Sequence, residues 1–142
     1  MTKKKKFPRE SFVSMTELVL PNDTNTLNNL MGGRLMHWMD IVSAIAGQKH
    51  SNSTVVTASV DNISFRSPIR LGNVVTLKAK VTRAFSSSME IRIDVDAEDV
   101  PTGHKFESNS AYRFKSDNRK FINNTTWFYW DYYNWRLCNK YR

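Results

Sequence analysis

Three consecutive runs of alternating apolar and polar residues constrain this chain more than any other feature. Val75, Leu77, Ala79 and Val81 alternate with Thr76, Lys78, Lys80 and Thr82, and Met89, Ile91, Ile93 and Val95 alternate with Glu90, Arg92, Asp94 and Asp96. His104, Phe106, Ser108, Ser110, Tyr112 and Phe114 alternate with a polar set that includes Lys105, Glu107 and Arg113. A period of two sends successive side chains to opposite faces of a strand. Gly72-Asn73, Ser86-Ser87-Ser88 and Pro101-Thr102-Gly103 supply the intervening turns. Runs of this kind predict an antiparallel sheet with one face solvated. Two further β-rich segments, residues 11–20 and 54–65, add one strand near the start and one before the alternating runs.

Between those two segments the period changes. From Gly33 to about Gly47 the apolar residues Leu35, Met36, Trp38, Met39, Ile41, Val42, Ala44, Ile45 and Ala46 cover most of a helical circumference. This predicts a buried helix, with Gly47 as its C-cap. The order is then strand, long helix, four strands. Nothing else in the chain can cover the apolar face of the sheet, so the helix must lie across it. The fold class expected is α+β, within one domain, because 142 residues suit one core and leave no room for two.

The net charge of +8 raises the question of nucleic acid, but it is concentrated at the ends. Lys3 to Lys6 supply four of the 21 basic residues and the segment from Arg119 to Arg142 supplies five, which leaves a neutral middle. No aromatic-basic RNA-binding signature and no Cys/His finger spacing is present, so nucleic acid is not the expected partner. The apolar stretch 35–46 is too short and too polar to span a bilayer, and the lysine-rich start has no apolar run behind it. A lone Cys138 makes neither an internal disulfide nor a zinc site. The expectation is a cytoplasmic protein without metal or membrane association. Residues 1–10 read as a disordered basic N-terminus, 11–117 as the domain, and 118–142 as an atypical aromatic-basic tail. Nine of the 17 aromatic residues fall between Phe121 and Tyr141 with neither helical nor strand period, and no chemistry is assigned to them.

Asp40 is the unusual residue, a carboxylate in mid-helix among Met36, Trp38, Met39, Ile41 and Val42. Burying it without partners would cost several kcal/mol, so it needs a reason to be there. One reading is a structural pair with His37 three residues earlier. The other is a general base or nucleophile on a pocket wall. Asn25 favours the second, because it lies in a turn-rich loop just before the Gly32-Gly33 helix start. A helix N-terminus offers free N–H groups to a developing oxyanion, and a nearby amide can hold a water or orient a carbonyl. Positioner, oxyanion donors and base are the parts of acyl-transfer hydrolysis.

The segment Asn25-Thr26-Leu27-Asn28-Asn29-Leu30-Met31-Gly32-Gly33-Arg34-Leu35-Met36-His37-Trp38-Met39-Asp40, with Asp fifteen positions after Asn, resembles the signature of hotdog-fold acyl-CoA thioesterases. Three later segments also resemble that family: residues 56–69, the turn Leu71-Gly72-Asn73-Val74-Val75, and Arg83-Ala84-Phe85-Ser86-Ser87-Ser88-Met89. The resemblance covers residues 14–114 or so. It implies a hotdog fold, an antiparallel curved sheet wrapped around one long central helix, and hydrolysis of acyl-CoA to a free acid and CoA. The alternative is a non-catalytic hotdog domain that binds CoA or an acyl chain.

On that resemblance Asp40 is base or nucleophile, Asn25 orients the water or thioester carbonyl, and the amides around Gly32, Gly33 and Arg34 polarise the carbonyl. Arg66, Arg70, Arg83, Ser86, Ser87 and Ser88 are the implied CoA contacts, and Met36, Trp38, Met39 and Phe65 could line an acyl tunnel. No cofactor is implied, since CoA belongs to the substrate. The implied assembly is a homodimer with shared active sites, Asn25 of one subunit facing Asp40 of the other, with three dimers forming a hexamer. The family usually has glycine at the position of Asn28, so a left-handed backbone is expected there.

Overall fold

The computed structural model describes residues 6–117 apart from 62, 64 and 65, and for 109–117 only the backbone is considered. Lys3 to Lys5, Phe65 and the tail 118–142 therefore lie outside the described residues. Five strands, β1 (Val13–Leu18), β2 (Val56–Asp61), β3 (Val74–Ala84), β4 (Ser88–Asp99) and β5 (His104–Asp117), form one antiparallel sheet in the order β1-β3-β4-β5-β2. The one α-helix among the described residues, α1 (Gly32–Ser51), packs chiefly on β3.

The alternation dictates this sheet directly. Val75, Leu77, Ala79 and Val81 of β3 and Met89, Ile91, Ile93, Val95 and Ala97 of β4 are buried toward the helix. The opposite face carries exposed pairs such as Lys78 with Asp96 and Arg92 with Asp94, which contribute little to stability. The helix answers with Leu35, Trp38, Met39, Val42 and Ala46, a stripe at helical spacing, each large side chain contributing roughly 1.5–3 kcal/mol by burial.

Several expectations are corrected. The helix is not buried all round, because one sheet layer covers one face, and Ile41 and Ile45 stay 37% and 40% exposed. Gly47 is not the C-cap: it is buried inside the helix, which runs on to Ser51 and ends at Asn52, left-handed at φ 54°. Among the described residues of the second β segment, strand geometry covers Val56–Asp61. Order also begins before residue 11. A short 3₁₀ turn, Pro8–Ser11, precedes β1, and the Lys6 ammonium donates to the Lys49 carbonyl and Asn52 Oδ1 at the helix C-terminus. Ser11 is fully buried there, its hydroxyl donating to Pro8 O and accepting the Val81 N–H.

Chain order and sheet order differ in a way that matters for function. The chain leaves β1 at one edge, crosses as α1 and returns as β2 at the other edge. A 20-residue helix is about 30 Å long at 1.5 Å per residue, enough to cross a five-stranded sheet with strands about 4.8 Å apart.

Candidate functional site

The loop before α1 is built by its polar residues. Asn25 opens a tight turn: the Asn28 N–H donates to its carbonyl at 3.0 Å, and its own N–H donates to Asn29 O at 2.8 Å. Asn25 Oδ1 accepts from the N–H groups of Leu27 (2.9 Å) and Asn29 (3.2 Å). Asn28 adopts φ 57°, the left-handed conformation expected where the related family usually has glycine. The small hairpin is closed by a bridge between Thr24 and Leu30 and is joined to the following layer by a bridge between Asn29 and Arg70. Asn25 is exposed, with its Oδ1 committed to the turn and no bond to Asp40.

At the start of α1, Met31 caps without a side-chain bond, and Gly32 begins the helix. The Arg34 and Leu35 N–H groups both donate to Met31 O, at 3.0 and 3.1 Å. The Arg34 amide is therefore engaged inside the first turn and not free for a carbonyl. Among the described residues the Gly32 and Gly33 N–H groups make no hydrogen bond, as the first positions of a helix must. They are the donors this end offers, with the positive end of the helix dipole behind them.

Asp40 lies eight residues inside the helix, about 12 Å along its axis from Gly32, and is half-buried. Its Oδ1 accepts from Thr57 Oγ1 at 2.5 Å. Among the described residues no ion pair links it to His37, which is exposed, so the structural-pair reading fails. Thr57 stands on the edge strand β2, and sequence reasoning missed it. The only sequence signal was a threonine inside a segment already resembling the family, and the partner lies 17 positions away across a crossover.

Two adjoining recesses flank the loop. One, of about 430 Å³, is lined by Gly32 and Leu35 of the first helical turn together with Asn29, Arg66, Pro68 and Ile69. The other, of about 420 Å³, lies between Leu27, Asn28, Pro68, Arg70 and Leu71. Arg66 thus shares a recess with Gly32, Arg70 lines the adjoining one, and Asp40 lines neither. Arg83 and Ser86–Ser88 are not with them. They sit at the β3–β4 turn, and nine residues of strand place Arg83 roughly 30 Å from the start of β3, where Arg70 is tied to Asn73. Within one chain these residues form two separate clusters. Of the proposed tunnel residues, Trp38 and Met39 are core and Met36 is half-buried. Among the described residues no three His, Cys, Asp or Glu side chains converge as metal ligands, and no helix is long and apolar enough to cross a membrane.

The thioesterase superfamily model matches residues 27–104. Acetyl-coenzyme A thioesterase of Rattus norvegicus is 44% identical over 91 residues, which is 64% of this chain and 16% of that protein. The chain thus spans about one sixth of the length of the first curated relatives it matches. A solved apo-hexameric acyl-CoA thioesterase is 33% identical with a TM-score of 0.73, covering 78% of this chain and 70% of that one. An aspartate-to-alanine variant of acyl-CoA hydrolase from Staphylococcus aureus superposes with a TM-score of 0.73 at 31% identity, covering 80% of this chain and 69% of its own. Other structures of the same hydrolase carry an asparagine-to-alanine change, with coenzyme A bound, and a threonine-to-alanine change. Those three replaced residues are separated by 15 and 17 positions, the same intervals that separate Asn25, Asp40 and Thr57.

Proposed function

This chain belongs to the thioesterase superfamily, and from that premise we propose that it hydrolyses acyl-CoA to a free carboxylic acid and CoA. One observation carries the reading: the mid-helix Asp40 carboxylate is held by Thr57 Oγ1, at the spacing from Asn25 seen in the relatives. The Thr57 hydroxyl occupies one lone pair of Oδ1 and fixes the carboxylate plane. Oδ2 has no partner among the described residues, leaving it to take a proton from attacking water. The Gly32 and Gly33 N–H groups are donors for the oxyanion that develops on the thioester carbonyl. Collapse of that intermediate expels the CoA thiolate, a good leaving group. No step draws on a metal.

The site is proposed to be completed by a second copy. Asn25 stands on an exposed loop and its Nδ2 is unpaired among the described residues, while Asp40 is 15 residues further on and well inside the helix. The Ile41 and Ile45 stripe and the open edge of β2, where Val56 is 39% exposed, both favour a partner, since open edges tend to be paired or covered. A homodimer with Asn25 of one subunit facing Asp40 of the other follows, with a hexamer as the higher assembly. The phosphates of CoA are proposed to meet Arg66, in the recess that Gly32 lines, and Arg70 in the adjoining one, and Arg83 and Ser86–Ser88 could reach the same ligand only from another subunit. A cytoplasmic setting fits this reading.

Incubation of the protein with a panel of acyl-CoAs of rising chain length tests the proposal. Release of free thiol and acid in equal amounts supports it. Saturable binding without release would leave a non-catalytic CoA-binding domain instead.

A further inference from the structure

We propose that Asp23 and Arg34 form a positioning strut that sets the Asn25 loop against the first turn of α1. The inference rests on the hydrolase reading above and assigns that site a residue pair the sequence did not reveal. Asp23 is only 3% exposed, and a buried carboxylate must be paired. Its two oxygens are divided between two elements. Oδ1 accepts from Arg34 Nε at 2.7 Å, and Oδ2 accepts from the Leu20 N–H at 3.0 Å. Its backbone carbonyl accepts from the Met31 N–H at 2.9 Å.

One residue therefore touches the chain before the Asn25 hairpin, the chain after it and the helix itself. The hairpin is closed between Thr24 and Leu30, so Asp23 stands at its stem. Arg34 is anchored at its other face as well, its guanidinium carbon lying 5.8 Å from the ring centre of Trp38, which is 5% exposed in the core. Carboxylate, guanidinium and indole form a continuous stack from loop to core. It joins the two parts of the site whose separation must be fixed, the loop that presents Asn25 and the turn that presents the Gly32 and Gly33 amides. A displacement of about 1 Å between such parts can cost ~10²-fold in rate. The strut is expected to act on kcat, because it holds transition-state contacts without touching substrate.

The test uses the full chain as Arg34→Gln, Asp23→Asn, Arg34→Lys and the double Asp23→Asn/Arg34→Gln. Thiol release gives kcat and KM, and amide hydrogen exchange is followed across residues 20–34. The double variant removes the buried charge together with its partner, so it keeps the fold even if Arg34→Gln, which leaves the Asp23 carboxylate without its counter-charge, does not. Expected are a fall in kcat of ~10- to 100-fold for Arg34→Gln with KM within about threefold, recovery to within about fivefold in Arg34→Lys, and a double variant no worse than the worse single one. Exchange at Leu20 and Met31 should rise while β4 stays protected. Unchanged exchange in Arg34→Gln overturns the strut. Faster exchange with unchanged kcat overturns its role in the site. Absence of turnover in the unaltered chain would defeat the hydrolase reading, while the exchange data still decide whether the strut holds the loop.

Discussion

Thr57 on the edge strand β2 donates to Asp40 in the middle of α1 across 2.5 Å. The bond ties the last strand of the sheet order to the helix that crosses it, and it orients a half-buried carboxylate that has no ion-pair partner among the described residues. Thr57→Val keeps the side-chain shape and removes only the donor. It is expected to lower kcat by ~10-fold or more at unchanged secondary structure, a fraction of the ~10²–10⁴ carried by a general base itself. Steady-state thiol release with circular dichroism checks this, and a kcat equal to that of the unaltered chain would remove Thr57 from the site.

Asn25→Ala and Asp40→Ala are each expected to be inactive alone and to recover part of the activity when unfolded and refolded together. In a dimer with shared sites, some hybrids contain one site with both residues intact. Sedimentation establishes the dimer in the same samples. A monomer, or a mixed dimer without recovered activity, contradicts the shared site.

Ser11→Ala is expected to destabilise the fold by about 1–3 kcal/mol, because it leaves the Val81 N–H of a central strand buried without its acceptor. Urea unfolding measures it. A change within about 0.5 kcal/mol, the range of surface substitutions, would show that the turn before β1 is dispensable.

His50 predicts an acid limb in stability. Burial lowers its pKa below the ordinary 6.5, the Lys6 charge lowers it further, and Glu10 opposes both. The unfolded chain then binds the proton more readily than the folded one, so stability falls as pH drops from about 6.5 toward the folded value. Its Nδ1 is buried without a partner among the described residues, which agrees with a ring held neutral. His50→Gln is expected to flatten this part of the denaturation profile. An unaltered slope between pH 7 and 5 would place the acid sensitivity elsewhere.

Much of the fold was legible because β3 and β4 obey period two without exception at their buried positions, from Val75 to Val81 and from Met89 to Ala97. The left-handed turn at Asn28 was expected from the resemblance, because the family usually has glycine there, and it forms because asparagine tolerates positive φ. Burial of α1 was overestimated because composition cannot say how many layers cover a helix, and Ile41 and Ile45 stay exposed beside the one sheet among the described residues. Gly47 misled for a related reason: it marks a buried helical position, while Asn52 ends the helix. Asp40 could be singled out as a candidate from its apolar neighbours and Asn25 from its place before the glycines. Thr57 and Asp23 could not, because their partners are 17 and 11 residues away and depend on which edge β2 joins and how the loop folds back. The implied CoA residues were separated by the length of β3, which no local motif reports.

In the proposed reaction the Asp40 carboxylate drives thioester hydrolysis. Its most direct test compares thiol release from one acyl-CoA by the unaltered chain and by Asp40→Asn, a change that keeps shape and hydrogen bonding to Thr57 while removing the charge. Turnover by the unaltered chain and a fall in kcat of at least ~10²-fold in Asp40→Asn, with CoA still bound, are expected. Near-normal hydrolysis by Asp40→Asn would contradict that role.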